Sequence, residues 1–118
     1  YVMNYLAYSW LERKIKINQS MNMLLKAHKQ RKDDPYIIDS VGWAYFLIED
    51  YISAEQYLKN ALLIMPEDPV VNDHYGDVLW KLNMKLQASY YWKAALLSEE
   101  AEDQLKNDIN NKLIFGLN

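Results

Sequence analysis

The stretch 35–66, PYIIDSVGWAYFLIEDYISAEQYLKNALLIMP, decides the fold of this 118-residue chain, because its pattern starts again at Pro69. Each copy opens with an Asp-Pro pair and keeps small residues at the same places, 34 residues apart. The matching pairs are Pro35 and Pro69, Gly42 and Gly76, Ala54 and Ala88, and Ala61 and Ala95. A fixed period of this length is typical of stacked helix pairs, in which each pair buries its apolar face only against its neighbours.

Each copy predicts two helices with a short turn between them. In the first copy, apolar residues recur at steps of three and four over residues 36–48 and again over 51–64, which indicates two amphipathic helices. Pro66 ends the second helix, because proline lacks the amide hydrogen that a helix interior needs. Pro69 fits the first turn of the next helix, and residues 69–82 and 85–97 then repeat the pair.

The repeated glycine marks a place where two helices approach closely. Glycine inside a helix costs about 1 kcal/mol relative to alanine, so its use twice at one phase indicates that close packing offsets this cost. The tryptophans divide by phase: we assign Trp10 and Trp92 to the core, and Trp43 and Trp80 fit either the core or an exposed face.

The two copies resemble the tetratricopeptide repeat (TPR). The signature is present as Val41-Gly42…Tyr45…Ala54…Leu58…Ala61…Pro66 and as Tyr75-Gly76…Leu79…Ala88…Trp92…Ala95, with Glu100 in place of the second closing proline. The resemblance implies an all-α fold, an α-solenoid of antiparallel helix pairs with three TPR units and a C-terminal capping helix. The ranges are 1–34 for a degenerate repeat, 35–68 and 69–98 for the regular ones, and 99–115 for the cap. The amino-acid sequence of the repeats also resembles the C-terminal region of longer bacterial multi-repeat proteins of the alphaproteobacterial type.

The two ends of the chain differ in their polarity. Residues 99–115 carry an apolar stripe at four-residue spacing and a polar opposite face, as a solubilising cap requires, and we expect the apolar tail after it to tuck against the last repeat or to contact a neighbour. The first helix is apolar over most of its circumference, Val2, Met3 and Leu6 included. We expect upstream repeats, a second copy of the chain or a partner to cover it.

Composition excludes several function classes. The chain has no Cys, so thiolate chemistry and disulfides are absent, and this absence fits a reducing or an oxidising compartment equally. No apolar run approaches the ~20 residues of a membrane span, and no targeting segment is visible. The basic residues cluster before residue 35 while the whole chain is acidic, with a net charge of −3. We interpret that cluster as a solvated surface and expect no nucleic-acid partner.

Catalysis, a cofactor and a metal site find little support in the sequence. There is no Gly-rich phosphate loop, zinc-binding helix motif or nucleophile elbow. The best cluster, Asp73, His74 and Asp77, offers too few oxygen ligands for a hard cation, and a polar helix face explains it better. We therefore predict a protein that is not an enzyme.

The resemblance places function on the concave surface that the first helix of each TPR lines. The predicted lining residues are Asn4, Tyr8 and Glu12, then Tyr36, Asp39, Trp43 and Phe46, then Asp73, Asp77, Trp80 and Lys81. Repeats that clamp a C-terminal carboxylate carry Lys, Arg and Asn at these places, whereas this chain carries mostly Asp, Tyr and Trp. Lys81 is the only cation expected among them. Carboxylates and rings suit a basic or aromatic-apolar peptide.

The preferred hypothesis is a protein–protein interaction scaffold that binds a peptide segment of a partner in this groove. The alternative is a structural self-association element of a larger multi-repeat protein, pairing through the N-terminal helix or the tail, with an incidental groove. A third hypothesis is the substrate-recruiting part of an enzyme whose catalytic residues lie outside this stretch.

Overall fold

The computed structural model describes residues 7–11, 13 and 16–117, and these residues form helices and turns without a strand. Residues 7–11 are helical (α1). The remaining helices are α2 (Ile17–Gln30), α3 (Pro35–Leu47), α4 (Tyr51–Ile64), α5 (Pro69–Lys81), α6 (Lys85–Leu97) and α7 (Asp103–Phe115). The predicted all-helical class is confirmed, and the predicted cap begins at Asp103 rather than at residue 99.

The repeated Asp-Pro pairs are helix starts. The Asp34 carboxylate accepts hydrogen bonds from the backbone N–H groups of Tyr36 and Ile37, at 3.0 and 3.3 Å. Asp68 accepts one from Val71 N at 3.0 Å. Each aspartate thus satisfies amides that the first turn leaves unpaired, and the proline that follows it occupies a position where no N–H is needed.

The turns inside the two regular pairs are also copies of one another. Glu49 and Asn83 both have left-handed backbone, with φ of 66° and 64°. In the first turn Asp50 N donates to Tyr45 O at 2.9 Å and Glu49 N donates to Phe46 O at 3.0 Å. This pair of backbone hydrogen bonds is the Schellman motif, which ends a helix and reverses the chain direction.

The chain divides at Ala61 into two compact units. In the first unit, the core consists of residues from α1, α2 and α3: Ala7, Leu11, Met21, Leu24, Ile37, Val41 and Ala44. Helices α3 and α4 approach closely at Gly42, where an added Cβ would lie 2.8 Å from Leu58 Cγ. Trp10, which the phase assigned to the core, is only partly buried; the Lys16 Nζ lies over its ring, 4.7 Å from the centroid.

The second unit is built on the crossing of α5 and α6. Trp92 is fully buried there, as predicted, together with Ala88 and Ala95. A Cβ added to Gly76 would fall on the Trp92 indole and lie 3.1 Å from the Ala88 carbonyl oxygen. The glycine is therefore what lets the two helices close over the indole ring.

Candidate functional site

The structure places the predicted lining residues in three different environments. Tyr8, Trp43, Phe46 and Trp80 are partly buried, Tyr36 and Lys81 are exposed, and Asp39, Asp73 and Asp77 are buried. Asn4 and Glu12 lie outside the described residues. Apart from Tyr8 on α1, the set therefore separates into one face on α3, which belongs to the first unit, and another on α5, which belongs to the second.

The α3 face consists of Tyr36, Asp39, Trp43 and Phe46, which follow one another at steps of three and four along one side of that helix. The Trp43 and Phe46 rings stack with centroids 4.5 Å apart and planes 10° apart. Tyr51 supports this stack, with its ring centroid 5.4 Å from that of Phe46. The result is a partly accessible aromatic surface. Tyr36, two turns earlier on the helix, is 67% exposed.

The α5 face differs, because α7 supplies a cation to its two carboxylates. Lys112 Nζ lies 2.9 Å from Asp73 Oδ1 and 3.0 Å from Asp77 Oδ1. Asp77 Oδ1 also accepts a hydrogen bond from Trp92 Nε1 at 3.0 Å. The expectation that Lys81 is the only cation among these residues is wrong, since Lys112 bridges both carboxylates from a helix more than 30 residues further along the chain.

Burial sets the electrostatics of this cluster. Burial, with the neighbouring charge of Asp73, raises the pKa of Asp77 to about 6, although Lys112 and His74 oppose the shift. For Lys112, burial lowers the pKa, but attraction to Asp77 and Asp73 and the hydrogen bonds to them outweigh it and raise the value overall. The cluster thus holds an ammonium group between two carboxylates, one of which resists ionisation. Chemically, the site binds a cation that the chain itself provides.

The C-terminal tail covers the remaining aromatic residue of the α5 face. Trp80 stacks on Trp92, with centroids 5.5 Å apart, and its Nε1 donates a hydrogen bond to Leu117 O at 3.1 Å. Gly116 presses so closely on the Trp80 ring that a side chain there would overlap it. Gly116 and Leu117 therefore pack against the last repeat, as one of the two expectations for the tail had it, whereas Ile114 and Phe115 remain 72% and 78% exposed.

The described residues offer no assembled metal site. No three His, Asp or Glu side chains among them converge as metal ligands would. Within the same residues, no helix has the length and apolar character needed to cross a membrane.

Comparison with solved structures settles the fold. The Yersinia enterocolitica type III secretion translocator chaperone SycD superimposes with a TM-score of 0.82, covering 95% of this chain and 86% of that chain at 12% identity. The first TPR of Spaghetti (RPAP3), bound to the HSP90 peptide SRMEEVD, superimposes with a TM-score of 0.77, covering 93% and 86% at 14% identity. At such identities the likeness concerns the fold alone.

Sequence comparison finds a relative with the same kind of repeat. No family model matches the chain. A TPR repeat-containing protein of Pseudomonas aeruginosa is 36% identical over 75 residues, which is 64% of this chain. The chain has the fold of a tetratricopeptide-repeat array and is similar in sequence to a protein of that kind. It spans only 12% of the length of that relative. The closer resemblance to an alphaproteobacterial type stays a prediction.

Sequence reasoning missed the Lys112 bridge on the α5 face and gave the tail contact only as one of two alternatives. The Lys112 bridge and the tail contact both join residues more than 30 positions apart, beyond the reach of helical periodicity. One signal was available: Lys112 lies three residues after Ile109, on the flank of the stripe that faces the array, and a lysine there has to find a partner or reach solvent.

Proposed function

We propose that this TPR array is a non-enzymatic interaction module that binds a peptide segment of a partner protein on the first helices of its repeats. TPR arrays typically work as interaction modules, and one structural neighbour was solved with a peptide bound. The observation that carries the proposal is the α3 face, where the stacked Trp43 and Phe46 rings are partly accessible and Tyr36, two turns earlier on the helix, is exposed.

The chemistry of the α3 face favours a segment with an aromatic or apolar anchor and an adjacent Lys or Arg. Large rings contribute apolar contact area, and their faces attract cations by about 0.5–2 kcal/mol. Capture of a C-terminal carboxylate does not suit this face, because it lacks Lys and Arg.

The α5 face contributes to binding only if the partner replaces α7. Lys112 already forms ion pairs with Asp73 and Asp77, and the tail already covers Trp80. We therefore assign the primary contact to α3. Asp73 and Asp77 are secondary positions, where a basic residue of the partner would take the place of Lys112.

A peptide titration tests this function. Matched peptide pools, each with one aromatic residue and either Lys/Arg or Asp/Glu flanks, are titrated against the chain at low and high salt. The basic pool should bind more tightly, and salt should weaken it because exposed charges are screened. Tyr36→Ala and Trp43→Ala should each reduce the affinity about 10-fold, by analogy with anchor residues of other interfaces.

The matched control is Gln56→Ala, an exposed change on α4, which should leave binding unchanged. Circular dichroism melting of each variant separates lost binding from lost folding. Preference for the acidic pool, or full binding by both α3 variants, would show that the partner binds elsewhere.

A further inference from the structure

The outward side of α6 carries large apolar residues in the open. Leu86, Tyr90 and Leu97 are 86%, 67% and 85% exposed. Their spacings of four and seven residues put them within about 40° of one another on a helix of 3.6 residues per turn, and Lys93 lies about 20° to one side of this sector. These four residues form the α6 outer stripe. The opposite side of the helix, with Ala88, Trp92 and Ala95, packs into the core.

The apolar character of this side recurs in the preceding repeat. Ile52 and Leu63 occupy the same places on α4 as Leu86 and Leu97 on α6, and they are 65% and 77% exposed. Single exposed leucines are ordinary on protein surfaces, but a stripe that returns at the repeat spacing is more than scatter. Large apolar residues clustered on the exposed side of one helix indicate a contact site.

The α6 outer stripe is symmetric about its own centre. Tyr90 comes four residues after Leu86, and Leu97 comes four residues after Lys93. The spacing is therefore the same from either end of the stripe, and both ends are leucines, whereas the two central residues differ. A second α6 laid antiparallel about the midpoint places Leu86 against Leu97 of the second copy. It also places Tyr90 of each copy against Lys93 of the other, so this contact forms twice.

The central pair makes this arrangement electrostatically complementary. An ammonium group above a tyrosine ring is attracted to it, and the two-fold axis gives that contact twice. A parallel arrangement would instead bring the two Lys93 side chains together. Helix α6 contains no Asp or Glu, so no carboxylate on the helix competes for Lys93. On α4 the two central positions are Gln56 and Lys59, which lack a ring to receive the cation.

We propose that the α6 outer stripe is a self-complementary contact surface through which two copies of this chain pair with their α6 helices antiparallel. The contact is isologous, since one patch serves both copies under a two-fold axis. One helix face is smaller than the ~1,200–2,000 Å² of a stable interface. The dimer is therefore weak and depends on concentration, with a Kd of about 0.1–1 mM.

Disulfide trapping tests the antiparallel register, and the chain is suited to it because it contains no Cys. Leu86→Cys and Leu97→Cys are made separately, with different affinity tags, and oxidised with copper-phenanthroline alone and mixed. The mixture should give a heterodimeric disulfide at least about 10-fold faster than either variant alone gives a homodimer. Gln87→Cys, exposed on the same helix but off the stripe, is the control. Equal trapping in all cases, or trapping no faster than the control gives, overturns the proposal.

Sedimentation equilibrium tests the surface without cysteine. The parent chain should show a reversible monomer–dimer equilibrium, and Lys93→Glu and Leu97→Asp should each weaken it about 10-fold or more, while Gln87→Glu should leave it intact. A parent that stays monomeric at millimolar concentration contradicts the proposal. So does a dimer that survives Leu97→Asp but disappears when residues 1–6 are removed, because that result assigns pairing to the N-terminal segment.

Discussion

Replacing Gly76 by alanine tests the helix crossing that holds the second unit together. The new Cβ would fall on Cδ1 and Nε1 of the Trp92 indole and lie 3.1 Å from the Ala88 carbonyl oxygen. The indole is fully buried, and its Nε1 donates to Asp77 Oδ1 at 3.0 Å. The substitution therefore has to push α5 and α6 apart or break this hydrogen bond.

The expected loss of stability follows from three opposing contributions. Alanine gains about 1 kcal/mol over glycine in helix propensity. Overpacking costs about 1–3 kcal/mol, and a lost hydrogen bond to a charged group costs about 1.5–3 kcal/mol. If the substitution both separates the helices and breaks the hydrogen bond, the free energy of unfolding should fall by about 1.5–5 kcal/mol.

Gly42→Ala is the matched comparison in the first unit. Its Cβ would lie 2.8 Å from Leu58 Cγ and 3.0 Å from Leu58 Cδ2, and an aliphatic side chain adjusts more easily than an indole ring held by a hydrogen bond. Overpacking and helix propensity then nearly cancel, so the free energy of unfolding should stay within about 1 kcal/mol of the parent value.

Equilibrium urea unfolding followed by far-UV circular dichroism measures both variants. A third measurement introduces Gly76→Ala into a Trp92→Leu background. There the alanine should lower the free energy of unfolding much less, because the indole ring that its Cβ would overlap is absent. If Gly76→Ala unfolds at the same urea concentration as the parent, or costs as much without the indole as with it, the packing argument is refuted.

Three further predictions concern single residues. The folded-state pKa of Asp77 is raised from 3.8 to about 6. Between these two pH values the folded state holds a proton that the unfolded state has released. The contribution of Asp77 to stability therefore falls as the pH rises from 3.8 to about 6. Asp77→Asn should therefore raise the melting temperature at pH 7.5, by the equivalent of about 1–3 kcal/mol, and raise it less at pH 4.5; a lower melting temperature at pH 7.5 would contradict the sign. Gly116 has φ 71° and ψ −167°, a region open essentially to glycine alone, and it packs on Trp80, so Gly116→Ala should free the tail and speed amide exchange at the end of α7; unchanged exchange there would count against it. Glu49 has left-handed backbone, so Glu49→Gly should stabilise the chain by about 0.5–1 kcal/mol in urea unfolding, and a loss of stability would show that its side chain has an unrecognised role.

Local pattern was enough to predict most of the fold. The Asp-Pro pairs and the repeated glycine act within one helix or one helix pair, so a 34-residue repeat exposes them directly. Gly42 and Gly76 lie at close crossings, and Trp92 is buried, as predicted. The prediction that Trp10 lies in the core was wrong, because helical phase alone cannot distinguish a core position from one that stays partly open to solvent.

The candidate site was less predictable, because its environment depends on contacts between distant parts of the chain. Sequence placed Asp73 and Asp77 on one helix face, but the cation between them comes from Lys112. Trp80 likewise receives its cover from the tail at Leu117. Periodicity gives the side of a helix on which a residue lies, and it cannot say which later element covers that side.

An NMR titration of the chain with the basic, aromatic-containing peptide tests the central claim most directly. The chain has four tryptophans, so each indole N–H can be followed separately. Binding on the α3 face predicts that the Trp43 indole and the amides of Tyr36 and Phe46 shift, while the buried Trp92 indole stays in place. Shifts confined to other surfaces, or none at peptide concentrations that saturate other TPR modules, would contradict the assignment of peptide binding to the α3 face.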